Sequence, residues 1–162
     1  MQFVRAKDVS TYRRLLTNRS VPHPDVRDST DNDMTALMWQ SRYGTREIIE
    51  FLLTWTTPAS IDHLDKRGNT ALHWAASNDN PDNVRLLLEH GASIDLQDKD
   101  GWTALHYGVM DDKPGNIRVL LEHGADRRIP DKEDQTPVSI ARDKGYMDCV
   151  DLLEKYFPDN IR

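Results

Sequence analysis

Apolar residues recur along the chain in short segments separated by polar ones. ALHWAAS (71–77) is followed, after the polar stretch NDNPDN, by VRLLLEHG (84–91). The same order returns as ALHYGVM (104–110) and IRVLLEHG (117–124). In the second segment of each pair the apolar residues fall at helical spacing and form a stripe along one side. The pattern therefore predicts pairs of short helices joined by polar turns.

Four threonines give the period of this pattern. Thr35, Thr70, Thr103 and Thr136 are separated by 35, 33 and 33 residues. The second helical segment is matched more loosely towards the ends of the chain, by IEFLLTWTTPASIDHLD (49–65), which holds two extra residues, and by VDLLEKYF (150–157). A fixed period of this length indicates a solenoid, in which each unit buries its apolar face against its neighbours.

Residues at fixed places in the unit have clear structural reasons. Gly68 and Gly101 stand where a tight turn requires a positive φ, and Asp33 and Asp134 take that place in the terminal units. The threonine two places later is suited to cap the first helix, because its hydroxyl accepts a hydrogen bond from a free backbone N–H. The recurring positions thus predict a turn and two helices in each unit.

These features resemble the ankyrin repeat, a unit of about 33 residues with the signature Thr-Pro-Leu-His-x-Ala. The match is closest in residues 65–97, which contain Thr-Ala-Leu-His-Trp-Ala, and it extends over nearly the whole chain. The resemblance implies an all-α ankyrin repeat solenoid of helix-turn-helix units joined by β-hairpin-like turns. We expect a short solenoid complete with polar caps at both ends. It would be a single domain over 1–162, with an N-terminal capping unit at 1–29, repeats at 30–64, 65–97 and 98–130, and a C-terminal capping repeat at 131–162.

His73 and His106 follow the threonines of two neighbouring units and invite comparison with a catalytic or zinc site. A site of either kind needs different residues that converge on one point, whereas a repeat places its histidines in equivalent positions of successive units. The ankyrin resemblance implies that each imidazole bonds to the backbone of the neighbouring turn. Met38 and Ser139 occupy this position in the terminal units, so the link is expected to be weaker there.

Composition narrows the possible functions further. Apolar residues make up 38% and charged residues 30% of the 162 residues, which fits one folded domain. No apolar run is long enough to cross a bilayer. The single cysteine, Cys149, is expected to be a small buried residue. A lone cysteine suits a reducing compartment, so we expect the protein in the cytoplasm or nucleus. Since no catalytic, metal-binding or cofactor motif occurs, we expect neither enzymatic activity nor a metal or cofactor.

The net charge of −6 is unevenly distributed, because residues 1–30 carry +3 and the remainder −9. An acidic body repels phosphate backbones, so binding to duplex nucleic acid is disfavoured. Lys66, Lys99 and Lys132 repeat every 33 residues at the tips of the turns. Either they steer an acidic partner or they are ordinary exposed residues, and both interpretations stay open.

Large side chains recur four places after each threonine, at Trp39, Trp74, Tyr107 and Ile140. We expect them to pack between units; the alternative is a row of rings on which bases or an aromatic ligand stack. Trp102 is different, because it lies at the turn tip, where the packing of the repeat requires no indole. We expect it to be exposed and to act as a hot spot for binding.

Proteins of the ankyrin family bind other proteins through the concave surface formed by the turn tips and inner helices. The resemblance therefore implies a protein-binding module, which we expect to be monomeric on its own and to act as an adaptor or inhibitor. The alternative is binding of a ligand or single-stranded RNA through Trp102 and the lysine tips. By position in the repeat, the predicted partner-binding residues are Asn32, Met34, Arg42, Tyr43, Lys66, Arg67, Asn69, Asn78, Lys99, Asp100, Trp102, Met110, Asp111, Lys132, Glu133, Gln135 and Lys144.

Overall fold

The structure is a computed structural model that describes residues 31–56 and 60–155, together with Ser10, Arg27 and Ser29. The predicted N-terminal capping unit therefore lies almost wholly outside the described residues, and the division of the chain into units stays a prediction. Within the described ranges there are eight α-helices and no β-strand. They are α1 (Ala36–Tyr43), α2 (Arg46–Leu53), α3 (Ala71–Ala76), α4 (Pro81–Glu89), α5 (Ala104–Met110), α6 (Pro114–Glu122), α7 (Pro137–Lys144) and α8 (Met147–Lys155).

The helices form four pairs arranged in two layers. Helices α1, α3, α5 and α7 pack against one another in chain order, and we call them the inner helices. Helices α2, α4, α6 and α8 do the same and form the outer layer, while the two helices of each pair also pack together. Each pair thus contacts the pairs before and after it in the chain. This arrangement confirms the predicted all-α solenoid.

Three of the four threonines cap their inner helices through the hydroxyl as the sequence predicts, whereas Thr103 makes no such bond to the backbone. The hydroxyls of Thr35, Thr70 and Thr136 accept from the backbone N–H three residues later, at 3.2, 3.4 and 3.4 Å. Asp33 and Asp134 have φ values of 60° and 60°, close to the 87° of Gly68 in the same place of the second unit. Each turn therefore needs a left-handed residue, and aspartate adopts this conformation more readily than most side chains.

The core lies between the layers and consists mainly of Leu, Ile, Val and Ala side chains. Ala75 and Ala76 are fully buried, which lets the neighbouring inner helices approach closely. Gly108 also permits close packing in the next unit. A Cβ atom at this position would lie only 3.3 Å from Ile117 Cγ1, so a larger residue would crowd α6. In the first unit this place holds buried polar residues, Gln40 and Ser41. Packing at this level therefore differs from unit to unit.

Candidate protein-interaction surface

Each of the last three turns is built around a buried aspartate: Asp65, Asp98 or Asp131. In the third unit, Asp98 Oδ1 accepts from the backbone N–H groups of Asp100 and Trp102, both at 2.8 Å. The other two aspartates make the equivalent pair of bonds. These aspartates were not among the predicted residues, although their spacing of 33 was the signal that could have found them. They hold the turns in one conformation.

Backbone hydrogen bonds also join each turn to the turn before it. The N–H groups of Lys66, Lys99 and Lys132 donate to carbonyl oxygens of the preceding turn at 2.9, 2.9 and 3.0 Å. Two of the lysine side chains make similar contacts: Lys99 Nζ donates to the carbonyl of Lys66 at 2.7 Å, and Lys66 Nζ to that of Ser29 at 3.3 Å. These two ammonium groups are therefore partly engaged in the fold.

His73 and His106 link successive units in the way the resemblance implied. Nδ1 of each ring accepts from the N–H of its capping threonine at 3.1 Å, so the proton of the neutral ring lies on Nε2. Nε2–H then donates to the carbonyl oxygen of Trp102, at 3.0 Å, or Gln135, at 3.2 Å, in the next turn. Burial lowers the pKa of both imidazoles, which keeps them neutral.

Two other histidines and the cysteine, which could in principle act in catalysis or bind a metal, also have partners within the fold. His90 and His123 each contact, through Nδ1, a carbonyl oxygen of the last turn of their own outer helix, at 2.9 and 2.8 Å. Cys149 is buried, with Sγ 3.2 Å from Asp112 Oδ1, and burial raises the pKa of its thiol to about 12. Within the described ranges, no three metal-ligating side chains converge in one place.

Two of the predicted partner-binding residues are buried, and their assignment to the surface was wrong. Met34 is only 3% exposed, because its side chain belongs to the core of the first unit. Asn69 is 0% exposed; its Oδ1 lies 2.9 Å from the hydroxyl of Tyr107, and its Nδ2 donates to Asp65 Oδ2 at 3.3 Å. The tip position is buried in these two units because Met34 is part of the core and Asn69 has hydrogen-bonding partners in its own turn and in the next unit.

By position in the repeat, the other predicted residues belong to one side of the solenoid, and all of them are accessible. Asn32, Asn78, Trp102, Met110 and Gln135 are half-buried, and the remaining ten are exposed. We call this side the tip face: the four turns together with the accessible side of the inner helices. The exposed members are Arg42, Tyr43, Lys66, Arg67, Lys99, Asp100, Asp111, Lys132, Glu133 and Lys144.

Trp102 is more firmly held than the sequence predicts, since it is half-buried and not freely exposed. Its Nε1–H donates to Asp131 Oδ2 at 3.1 Å. The indole stacks on His106 with ring centroids 6.2 Å apart and meets the edge of Tyr107 at 5.4 Å. The next turn supplies the hydrogen-bond acceptor, which repeat position alone does not reveal.

The aromatic residues of the inner helices contribute to both the core and the tip face. Ile140 is buried, but Trp39, Trp74 and Tyr107 are half-buried and pack against the core along one side only. The Arg42 guanidinium lies 4.4 Å from the ring centroid of Trp74, within the range of a cation–π interaction. The prediction that these residues pack between units is thus confirmed for part of each ring.

Tyr107 connects two of the turns beneath the tip face. Its hydroxyl donates to Asp98 Oδ2 at 2.9 Å, and burial together with this bond raises the pKa of the phenol well above its usual value. Its ring meets the edge of His73 at 5.4 Å. The floor of the tip face around Trp102 is therefore a connected set of rings and hydrogen bonds.

A groove of about 350 Å³ lies beside Trp102, between the third and fourth turns. It brings together six of the predicted partner-binding residues and adds Asp131, which was not among them. The lining residues are Asp100, Trp102, Met110, Asp131, Lys132, Glu133 and Gln135. A larger hollow, of about 610 Å³, lies between α6 and α8 on the outer layer and contains none of the predicted residues.

A stack of helix pairs held together by hydrogen bonds between turns defines an α-helical repeat protein. Residues 1–98 and 90–161 match the family profile described as ankyrin repeats (3 copies). The chain therefore belongs to the ankyrin repeat family. In the described part of the chain, no helix has both the length and the apolar character that a membrane span requires.

Several ankyrin-repeat proteins are similar to parts of this chain. Inversin of Danio rerio is 41% identical over 70 residues, which cover 43% of this chain and 7% of the inversin. Inversin of Homo sapiens is 38% identical over 58 residues, or 36% of this chain and 5% of the inversin. Ankyrin repeat protein FPV031 of Fowlpox virus (strain NVSL) is 38% identical over 69 residues, which cover 42% of this chain and 20% of the viral protein. The chain thus corresponds to a small part of each of these relatives.

Proposed function

We propose that this chain is a protein-binding module that engages its partner through the tip face. The observation that carries the proposal is the row of accessible aromatic and charged side chains on turns whose backbone is already fixed by hydrogen bonds. A preordered surface loses little conformational entropy when a partner binds. Aromatic and arginine side chains in such a surface are the residues that most often dominate binding energy.

The proposed binding surface consists of the fifteen predicted residues that remain accessible, without Met34 and Asn69. Trp39, Trp74 and Tyr107 are added to it, because one side of each ring is accessible beside those residues. We propose that the module acts as an adaptor or inhibitor, as a monomer, in the cytoplasm or nucleus. The buried free thiol of Cys149 suits a reducing compartment and supports that location.

Single-stranded RNA is a weaker candidate than a protein. Trp102, the ring on which a base would stack, lies in a groove that also contains Asp100, Asp131 and Glu133. Three carboxylates there disfavour an approaching phosphate backbone. Binding of a labelled RNA oligomer, with an affinity that falls steeply as salt rises, would support the RNA alternative.

The proposal is tested with peptides selected from a random displayed library on the immobilised chain. A tip-face variant, Tyr43→Ala/Arg67→Ala/Lys132→Ala, removes three exposed side chains, one each from the first inner helix, the second turn and the fourth turn. We expect the selected peptides to bind this variant about tenfold or more weakly than the wild type, because it lacks part of the contact surface. Affinities are measured by calorimetric titration.

The matched control changes three exposed residues of the outer layer: Glu47→Ala/Glu89→Ala/Arg118→Ala. This variant should bind the selected peptides as the wild type does. Equal weakening by both triple variants, or peptides that bind both at full strength, would show that the tip face is not the binding surface. A selection that enriches no peptide above blank resin would contradict the proposed function.

A further inference from the structure

The groove beside Trp102 has an unusual chemical character within the tip face. Its lining combines an indole and the thioether of Met110 with three carboxylates and one lysine. The carboxylate of Asp131 is already occupied by the indole N–H and two backbone N–H groups. Asp100 and Glu133 are exposed, and within the described residues neither carboxylate takes part in a salt bridge. Two negative charges therefore remain available beside an aromatic ring.

We propose that this groove receives an arginine or lysine side chain of the partner protein. The proposal deepens the proposed function, since it names the chemistry of one contact on the tip face. A cation gains from the indole and from the carboxylates together, because a ring face attracts positive charge and a carboxylate accepts charge-assisted hydrogen bonds. The methylene groups of such a side chain also match the apolar part of the lining, Trp102 and Met110.

The surrounding turns direct a cationic side chain to this groove and away from the preceding units. The second turn exposes Lys66 and Arg67, which repel it. Lys99, the nearest cation of the third turn, donates one hydrogen bond from its ammonium group to the carbonyl of Lys66 and is thereby held towards the second unit. Charge along the tip face thus changes from positive at the second turn to negative at the groove.

The Trp102 ring is held in place for this contact. The bond from its Nε1–H to Asp131 and the contacts with His106 and Tyr107 restrain the ring before any ligand arrives. Among the described residues, Lys132 is the one cation in the lining; it is exposed, and the three carboxylates leave the groove with a net negative charge. The groove is therefore preorganised for a positive group.

The experiment uses the peptides selected on the wild-type chain. We expect most of them to contain an arginine or lysine whose replacement by citrulline or norleucine weakens binding by about tenfold or more, since tenfold is near the lower limit for close charge pairs at interfaces. The variant Asp100→Asn/Glu133→Gln keeps the shape of the groove and removes its free charge. On this variant, the neutral replacement in the peptide should change the affinity little.

The matched control is Asp82→Asn/Glu89→Gln, which removes two exposed charges from α4 on the outer layer. In this variant, the effect of neutralising the peptide should be as large as in the wild type. The inference is overturned if the selected peptides lack a required basic residue, or if neutralisation weakens binding to all three proteins equally. Either result leaves the proposed function standing, provided that the peptides still depend on Tyr43, Arg67 and Lys132.

Discussion

His73 and His106 show how one residue can satisfy two demands of the fold. One ring nitrogen accepts from the threonine N–H at the start of the helix, and the other donates to the carbonyl of the next turn. An added proton would fall on Nδ1 and face an N–H group, so the charged ring cannot make both bonds. The link between units therefore depends on the neutral form of the imidazole.

This dependence predicts that stability falls as the solution is acidified. Burial lowers the folded-state pKa of His73 and His106 below the unfolded value of about 6.5. Below pH about 6.5 the unfolded chain binds protons that the folded chain does not, so the contribution is complete above that pH and is lost as pH falls. Between pH ~7.5 and ~5.5, urea denaturation should show a loss of up to about 1.4 kcal/mol for each histidine.

The control for this prediction compares two double variants. His73→Ala/His106→Ala should be less stable at neutral pH and should lose less stability on acidification than the wild type. His90→Ala/His123→Ala changes the same number of histidines at the ends of the outer helices and should retain the steeper pH dependence. If the two variants respond to pH in the same way, the interior histidines are not its source.

Among the helices, the contacts between one pair and the next are uneven. Asn116, near the start of α6, donates through Nδ2 to the carbonyls of Ala75 and Ala76 at 3.2 and 2.8 Å, and also to that of Asn78. It thereby satisfies the carbonyl of Ala76 at the end of α3, while the Ala75 carbonyl also accepts from the backbone N–H of Asn78 at 3.2 Å. Asn83 holds the same place in α4, but within the described residues neither polar atom of its buried amide has a partner.

The two asparagines should therefore respond differently to truncation. Asn116→Ala removes the side-chain donor to the carbonyls of Ala76 and Asn78, and we expect it to lower the free energy of unfolding by about 1–3 kcal/mol. Asn83→Ala removes an amide that is buried without compensation, so its cost should be below about 1 kcal/mol. Urea denaturation of both variants measures the difference. Equal losses would mean that Asn83 has a partner in solution.

Across the whole molecule, stability is expected to be lowest at the first helix pair. Met38 has no imidazole to reach the next turn, whereas His73 and His106 link the later units. Unpaired buried polar atoms also collect on both sides of this boundary: Ser41 Oγ, the Asn83 amide and Trp74 Nε1 have no partner within the described residues. In a linear array, each unit is stabilised only by its neighbours, so a weak boundary lets one unit open separately.

Hydrogen exchange can test this expectation along the whole chain. We predict that amides of α1 and α2 exchange about tenfold or more faster than those of α3 to α6, because local opening of the first pair breaks fewer hydrogen bonds. In His73→Ala the fast region should extend to α3 and α4, since the link to the third turn is lost. Uniform protection over the four pairs would contradict the uneven distribution of stability.

Much of the architecture was predictable because it rests on interactions within one unit. The helix pairs, the threonine caps and the left-handed residues at Asp33, Gly68 and Asp134 depend on neighbours close in sequence, and the period of 33 residues repeats them. The bonds from His73 and His106 to the next turn came from the family resemblance. Because these features depend on local sequence, each copy of the repeat forms the same turn and helix pair.

Side-chain environment was decided by the adjoining units, which differ in sequence. Met34 and Asn69 occupy tip positions yet are buried, and Trp102 is held by Asp131, which lies 29 residues further along the chain. Asn83 and Asn116 share a repeat position, but only Asn116 bonds to a carbonyl of the preceding inner helix, that of Ala76 in α3. The equivalent carbonyl of α1, that of Ser41, accepts from the side chain of Asn78 instead. Burial and hydrogen-bond partners across a boundary depend on both units at once, so the period alone predicts the position of a residue but not what it contacts.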